Sequence, residues 1–271
     1  MKTWQSKFLI AFLALAGIAS VLWAITHYGM VAVHPYLQAG VRWAAIAALC
    51  GYSFVRRSLT PWIFAGMLLG AELGHELGKS AANLQVLSGI FLKLVKTIVA
   101  PLIFSTLVVG IASHSNLKQV GRMGIKALLY FELVTTVALF IGLGAINLTR
   151  AGVGVPQPSA AASAAVAAQP QKWTDLVLHI FPENIAKSVA EGQILQIVVF
   201  SVIFGIALAQ IGEEKRRPML AFCESLSELM FKFTNIVMLS APIGVAGAMA
   251  YTVGTMGFEV MGNLVKLLLT L

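Results

Sequence analysis

The chain has 271 residues, of which 58% are hydrophobic and 11% charged, and its formal net charge is +8. Soluble domains carry roughly 25% charged residues, so this composition excludes a separate soluble domain and describes one integral membrane unit. The basic residues are scattered between apolar runs without interleaved aromatics, which argues against a nucleic-acid partner and for the positive-inside bias of membrane loops.

A membrane-spanning helix needs about 20 mostly apolar residues. The segments approaching that are Phe8–Ile25, a weaker Val41–Val55, Trp62–Leu77, Ile90–Ser113, Ile125–Leu148, Ile194–Ile211, Met219–Met256 and a last one starting at Val260. Met219–Met256 is too long for one simple span. The first segment follows Lys2 and Lys7 as a signal peptide would, but its apolar core is long and further spans follow, so a retained anchor is expected. Basic residues fall in every second connection: Lys2 and Lys7, then Arg56 and Arg57, then Lys118, Arg122 and Lys126, then Lys215 to Arg217. That alternation predicts a cytoplasmic N-terminus and eight crossings.

Two connections differ from ordinary loops. Residues 151–171, "AGVGVPQPSAAASAAVAAQPQ", carry no charge and no apolar stripe, and are expected to form a mobile outer loop. The following "WTDLVLHIFPENIAKSVAEG" is amphipathic but too polar to span; it is expected along the outer interface, anchored by Trp173.

In "AGMLLGAELGHELG", Gly66, Gly70, Gly74 and Gly78 recur every fourth residue and make one smooth helical stripe on which another backbone can lie closely. The stretch "GIFLKLVKTIVAPLIFSTLVVGIA" carries Lys93 and Lys96 on one face near a span end, where their stems can lie in the apolar zone and their ammonium heads reach the interface. Pro101 in the same stretch removes a backbone hydrogen bond and is expected to kink the helix.

Glu132 sits well inside a predicted span, where an ionised carboxylate costs about 2.5–3.5 kcal/mol on insertion scales. It is protonated, paired within the bundle, or part of an ion path; the sequence leaves these open. The neighbouring Thr135 and Thr136 say little by themselves, because Thr hydroxyls often bond back to their own helix. Cys50 and Cys223 show no C-x-x-C spacing and read as packed thiols, and the five histidines show no metal-ligand spacing. Asp175 is the single aspartate, which excludes an aspartate dyad. No catalytic residue and no cofactor are expected, and the sequence leaves a metal site open.

The polar landmarks Leu-x-Lys (94–96), Pro-Leu-x-Phe (101–104), Leu-Val-Val-Gly (107–110), Gly-Arg-x-Gly (121–124) and Tyr-Phe-Glu-x-Val-Thr-Thr (130–136) follow one another in order. Further on stand "FPENIAKSVAEGQILQIVVFSVIFGIAL" and "APIGVAGAMAY". Together they resemble the dicarboxylate/amino acid:cation symporter family, which includes the glutamate transporters, from about Leu59 onward. Residues 1–58 are then additional N-terminal membrane segments, and 59–271 the N-terminal part of the symporter domain, with the loop 151–171 inside it.

The resemblance implies an all-α membrane protein: a multi-span helical bundle in the bacterial inner membrane, assembled as a homotrimer. A scaffold of the family's helices one, two, four and five surrounds a transport domain that moves like an elevator. It implies symport of an acidic amino acid or C4-dicarboxylate with Na+ or H+, and gives Gly66, Gly70, Gly74, Gly78 and Pro101 a packing role. In sodium-coupled members a Tyr, a Thr and a Ser hydroxyl of the third helix contribute to a cation site. The matching positions here are Phe131, Val134 and Thr135, so Thr135 alone carries over, and Glu132 is the titratable candidate for proton coupling. The family's serine-rich re-entrant hairpin and its Asn-Met-Asp-Gly-Thr pattern do not occur in these residues. The expectation is a symporter chain truncated before its substrate site; the alternative is a non-transporting membrane scaffold that only inserts or oligomerises.

Overall fold

A computed structural model describes residues 2–27, 34–114, 117–150, 173–257 and 260–270. The expected loop 151–171 lies outside the described residues, as does the Trp173 side chain. Every regular element among the described residues is helical: α1 (Lys2–His27), α2 (Pro35–Arg56), α3 (Leu59–Leu77), α4 (Gln85–Ala112), α5 (Leu117–Thr149), α6 (Trp173–Ile180), α7 (Ile185–Glu191), α8 (Ile194–Gln210), α9 (Glu213–Met238), α10 (Ala241–Met256) and α11 (Val260–Thr270), with a short 3-10 helix at Gly78–Leu84. This is an all-α membrane protein. By length and composition the stretch Leu59–Ala112, which takes in α3, the 3-10 helix and α4, and the run Lys118–Thr149 can cross a bilayer, and α9 with α10 makes a third if taken as one span; Ser6–Leu22, Ile194–Gln210 and Met261–Thr270 are shorter apolar helices.

The long run Met219–Met256 resolves into two helices parted at Leu239 and Ser240, with Pro242 in the first turn of α10. Proline is tolerated there because a first-turn N–H has no partner within the helix. The amphipathic stretch after residue 172 is likewise two helices. Pro182 cannot continue α6, and Asn184 then opens α7 by accepting a hydrogen bond from the Ala186 N–H at 2.9 Å.

The chain divides into two compact units. The first holds residues 1–92 and 237–261, the second 93–236 and 262–271. In the first, α1, α2 and α3 form an antiparallel set. The α2–α3 corner is only Arg57, in the left-handed region at φ 51°, and Ser58, extended at φ −116°. Leu49, Tyr52 and Ala65 are buried between the three helices, with Phe8, Phe12 and Leu68 against them. An added Cβ at Gly51 would meet the Phe8 ring at 2.7 Å, so α1 and α2 also touch through a missing side chain.

The α3 glycines meet α10. A Cβ built on Gly74 would lie 2.6 Å from the carbonyl oxygen of Ala250, and Cβ atoms on Gly66 and Gly70 would come closer still to the carbonyl oxygens of Pro242 and Ala246. Both series advance by four residues, so the helices run parallel, backbone on backbone. The contact is reciprocal around α10. Gly244 faces the Phe91 side chain at 2.6 Å, and Gly247 faces the Leu84 carbonyl oxygen at the same distance, both measured to a hypothetical Cβ. Without a hydrophobic drive between helices in lipid, close approach of this kind supplies the dispersion contact that holds them. Gly78 differs from the other three. No atom lies within 4 Å of its would-be Cβ, and its backbone takes φ 53°, ψ −132° at the end of α3. It ends the helix in a conformation that only glycine adopts readily.

The same unit holds a charge pair. Arg42 of α2 donates through Nε to Glu72 Oε1 of α3 at 2.9 Å, with the Glu72 side chain only 4% exposed. One turn on, the Trp43 indole N–H donates to Glu76 Oε1 at 2.8 Å. Arg42 stands about 21 Å along α2 from the corner residue Arg56.

In the second unit, Val108 and Ala112 of α4, Leu208 of α8 and Cys223 of α9 form a buried cluster. Phe104 packs edge-on to Phe204 at 5.2 Å between ring centres. Gln196 of α8 fixes the two short helices: its amide donates to the His179 carbonyl at 2.9 Å and its oxygen accepts from the Ser188 hydroxyl at 2.7 Å.

Gly70→Ala and Gly74→Ala are therefore expected to lower stability by about 3 kcal/mol each, since carbonyl groups cannot rotate away from the new methyl. Gly110→Ala, whose methyl would meet nothing within 4 Å, should be neutral or slightly stabilising. Thermal unfolding in mild detergent compares the three; equal losses at all three sites would refute the backbone contact. For the ion pair, Arg42→Ala should cost about 3 kcal/mol by leaving a buried carboxylate without its cation, whereas the joint replacement of Arg42 and Glu72 by Met should recover most of that loss. A double-mutant cycle on the same unfolding signal measures the coupling.

Candidate functional site

The cation-coupling candidates stand on α5. Glu132 and Thr135 are three residues apart and share a helix face, and both are exposed. Neither Glu132 nor Thr135 has a hydrogen bond or ion pair with another described residue. Tyr130 and Phe131, just before them, are in edge-on contact at 6.0 Å. The other two positions matched to the family's cation site, Phe131 and Val134, carry no hydroxyl and are also exposed. From Gly121 to Gly144 every residue of α5 is exposed, and the candidate span Lys118–Thr149 buries none of its apolar window. At the far end of α5 the Thr270 hydroxyl of α11 donates to the Thr149 hydroxyl at 3.1 Å. An ionisable carboxylate and a hydroxyl a turn apart are hard oxygen donors of the kind that bind a proton or a small hard cation. Among the described residues there is no group of His, Cys, Asp and Glu able to hold a metal ion.

The other residues singled out in the sequence occupy separate places. Lys93 and Lys96 are both exposed on α4, and the Thr97 hydroxyl donates to the Lys93 carbonyl at 3.0 Å. Pro101 lies inside α4, whose helical assignment continues unbroken from Gln85 to Ala112. Gly66, Gly70 and Gly74 belong to the α3–α10 contact. Sequence reasoning missed the Arg42–Glu72 pair. Its signal was available: an arginine inside the weakly apolar segment before Arg56, and a glutamate between the spaced glycines, on the opposite face of α3.

Comparison with known proteins places most of the chain in one family. The profile described as the Sodium:dicarboxylate symporter family matches residues 59–271. A "C4-dicarboxylate transport protein" of Anaeromyxobacter sp. (strain K) is 42% identical over 218 residues, covering 78% of this chain and 49% of the relative. "C4-dicarboxylate transport protein 3" of Bradyrhizobium diazoefficiens is 43% identical over 215 residues, covering 77% and 48%. A "C4-dicarboxylate transport protein" of Laribacter hongkongensis is 40% identical over 218 residues, covering 78% of this chain and 49% of the relative. The chain spans about half the length of the curated relatives it matches, and α1 and α2 precede the matched region. On the strength of the matched residues 59–271, which run from the start of α3 through α11, the chain belongs to the sodium:dicarboxylate symporter family.

Proposed function

We propose that the protein takes part in symport of C4-dicarboxylates across the membrane, driven by Na+ or H+. The observation that carries this reading is the 42% identity over 218 residues with a C4-dicarboxylate transport protein. Symport needs a part that stays fixed and a part whose groups meet ion and solute in turn. In this reading the α3–α10 pair belongs to the fixed frame, because a contact between backbones has no rotamers through which to slide. Helix α5 belongs to the moving part of an elevator, and Glu132 with Thr135 supplies its cation-responsive face. The assembly is a homotrimer in the inner membrane, built through the frame helices, with the N-terminus in the cytoplasm.

Proteoliposomes test this reading. It expects saturable uptake of labelled succinate under an inward Na+ or H+ gradient; no uptake under either gradient would overturn it.

If protons are the coupling ion through Glu132, the Glu132→Gln variant should lose the pH dependence of succinate uptake while folding normally. An unchanged pH profile would make Glu132 a structural residue. For sidedness, a cysteine at Glu183 should be labelled in intact cells by an impermeant maleimide, and one at Lys215 only after permeabilisation. Outer labelling at Lys215 would invert the topology.

A further inference from the structure

Between α1, α2 and α3 runs an open groove of about 540 Å³. Phe12 of α1, Leu49 of α2 and Leu68 of α3 line its apolar end, and Arg56, Ser58 and Thr60 its polar end. Polarity falls in the same direction along α2 and α3. From Thr60 to Leu68 the α3 backbone rises about 12 Å, which fits within one leaflet of a hydrocarbon core about 30 Å thick. Arg56 is exposed; it donates to the Tyr52 hydroxyl, and its guanidinium carbon lies 5.7 Å from the centre of that ring. The tyrosine thus steers the arginine but takes only one of its five N–H donors. Arg57, exposed, follows it at the corner, and Ser58 makes no capping bond with its side chain.

We propose that this groove is a binding site for an anionic phospholipid of the phosphatidylglycerol class. One acyl chain lies along the apolar wall, and the phosphate is held by Arg56 with the Ser58 and Thr60 hydroxyls. An apolar groove open to a bilayer fills with lipid tails in any case, so selectivity resides at its polar end. A guanidinium fork matches phosphate oxygens with two parallel hydrogen bonds. A zwitterionic lipid would bring its own cation beside Arg56 and Arg57, whereas an anionic one brings only negative charge; basic pockets between membrane helices select anionic headgroups on this principle. Two of the three walls, α1 and α2, lie before the family match at residues 59–271. The site therefore gives the N-terminal helix pair a role of its own, independent of transport.

The test uses the full chain, purified in mild detergent and stripped of lipid, titrated with short-chain phosphatidylglycerol and phosphatidylcholine while bound lipid is counted by native mass spectrometry. Phosphatidylglycerol should bind in preference. Arg56→Gln should weaken it roughly tenfold, the loss of one charge-assisted hydrogen bond, and leave phosphatidylcholine unchanged. Thr60→Asp guards against misfolding as an explanation. An aspartate in the exposed first turn of α3 is favourable for the helix, yet it should repel the phosphate and abolish the preference. Equal binding of the two lipids by the wild type, or a preference that survives both substitutions, would overturn the proposal. So would displacement of the lipid by an equal concentration of inorganic phosphate, which would indicate an ion site without a lipid component.

Discussion

The contact of the α3 backbone with the α10 backbone is the constraint on which the first unit depends. Two consecutive steps of four residues place Gly66, Gly70 and Gly74 against the carbonyl oxygens of Pro242, Ala246 and Ala250. Because the glycines expose bare backbone, the helices approach until carbonyl groups meet Cα atoms, and every position along the seam is fixed by its neighbours. The seam also joins residues far apart in sequence, so α10 is held between α3 on one side and the 3-10 helix with the start of α4 on the other. No side chain need be frozen to make the α3 half of it, so the side-chain entropy that ordinary packing forfeits is largely avoided.

Charge is handled differently in different places. Glu72 is buried and answered by Arg42 across the α2–α3 hairpin, while Lys93, Lys96 and Glu132 remain exposed. A buried pair of this kind adds little net stability over a well-packed apolar pair, but it penalises every arrangement in which one partner is missing. It acts as a register key: α2 shifted by a residue or two along α3 would bring a different side chain opposite Glu72. The Trp43–Glu76 bond, one turn away, repeats the same key.

Much of this was legible in the sequence. The helix positions follow from apolar windows, and the family from polar landmarks that chance hydrophobic similarity does not reproduce. The glycine spacing announced a close contact, but not its partner, because a smooth stripe is complementary to any helix; only the meeting of Gly66 with Pro242 and its successors identifies α10. Gly78 fits the spacing, yet its role is to end α3, which a four-residue repeat cannot reveal. The split at Leu239 and Ser240 falls just before Pro242, which sits in the first turn of α10 within one long apolar run. Arg42 and Glu72 were readable in principle. They stand nearly equidistant from the Arg57–Ser58 corner, so an antiparallel hairpin brings them level.

The Arg42–Glu72 pair also has a consequence for biogenesis. The chain is made from its N-terminus, and Arg42 emerges thirty residues ahead of its carboxylate. An arginine at the centre of a helix costs about 2.5–3.5 kcal/mol at insertion, and α2 is only weakly apolar, so this helix gains little by entering the bilayer alone. Its stable state becomes available when α3 has been synthesised through Glu72 and folds back on the two-residue corner. α2 and α3 are thus suited to leave the insertion machinery as a neutral pair rather than one after the other.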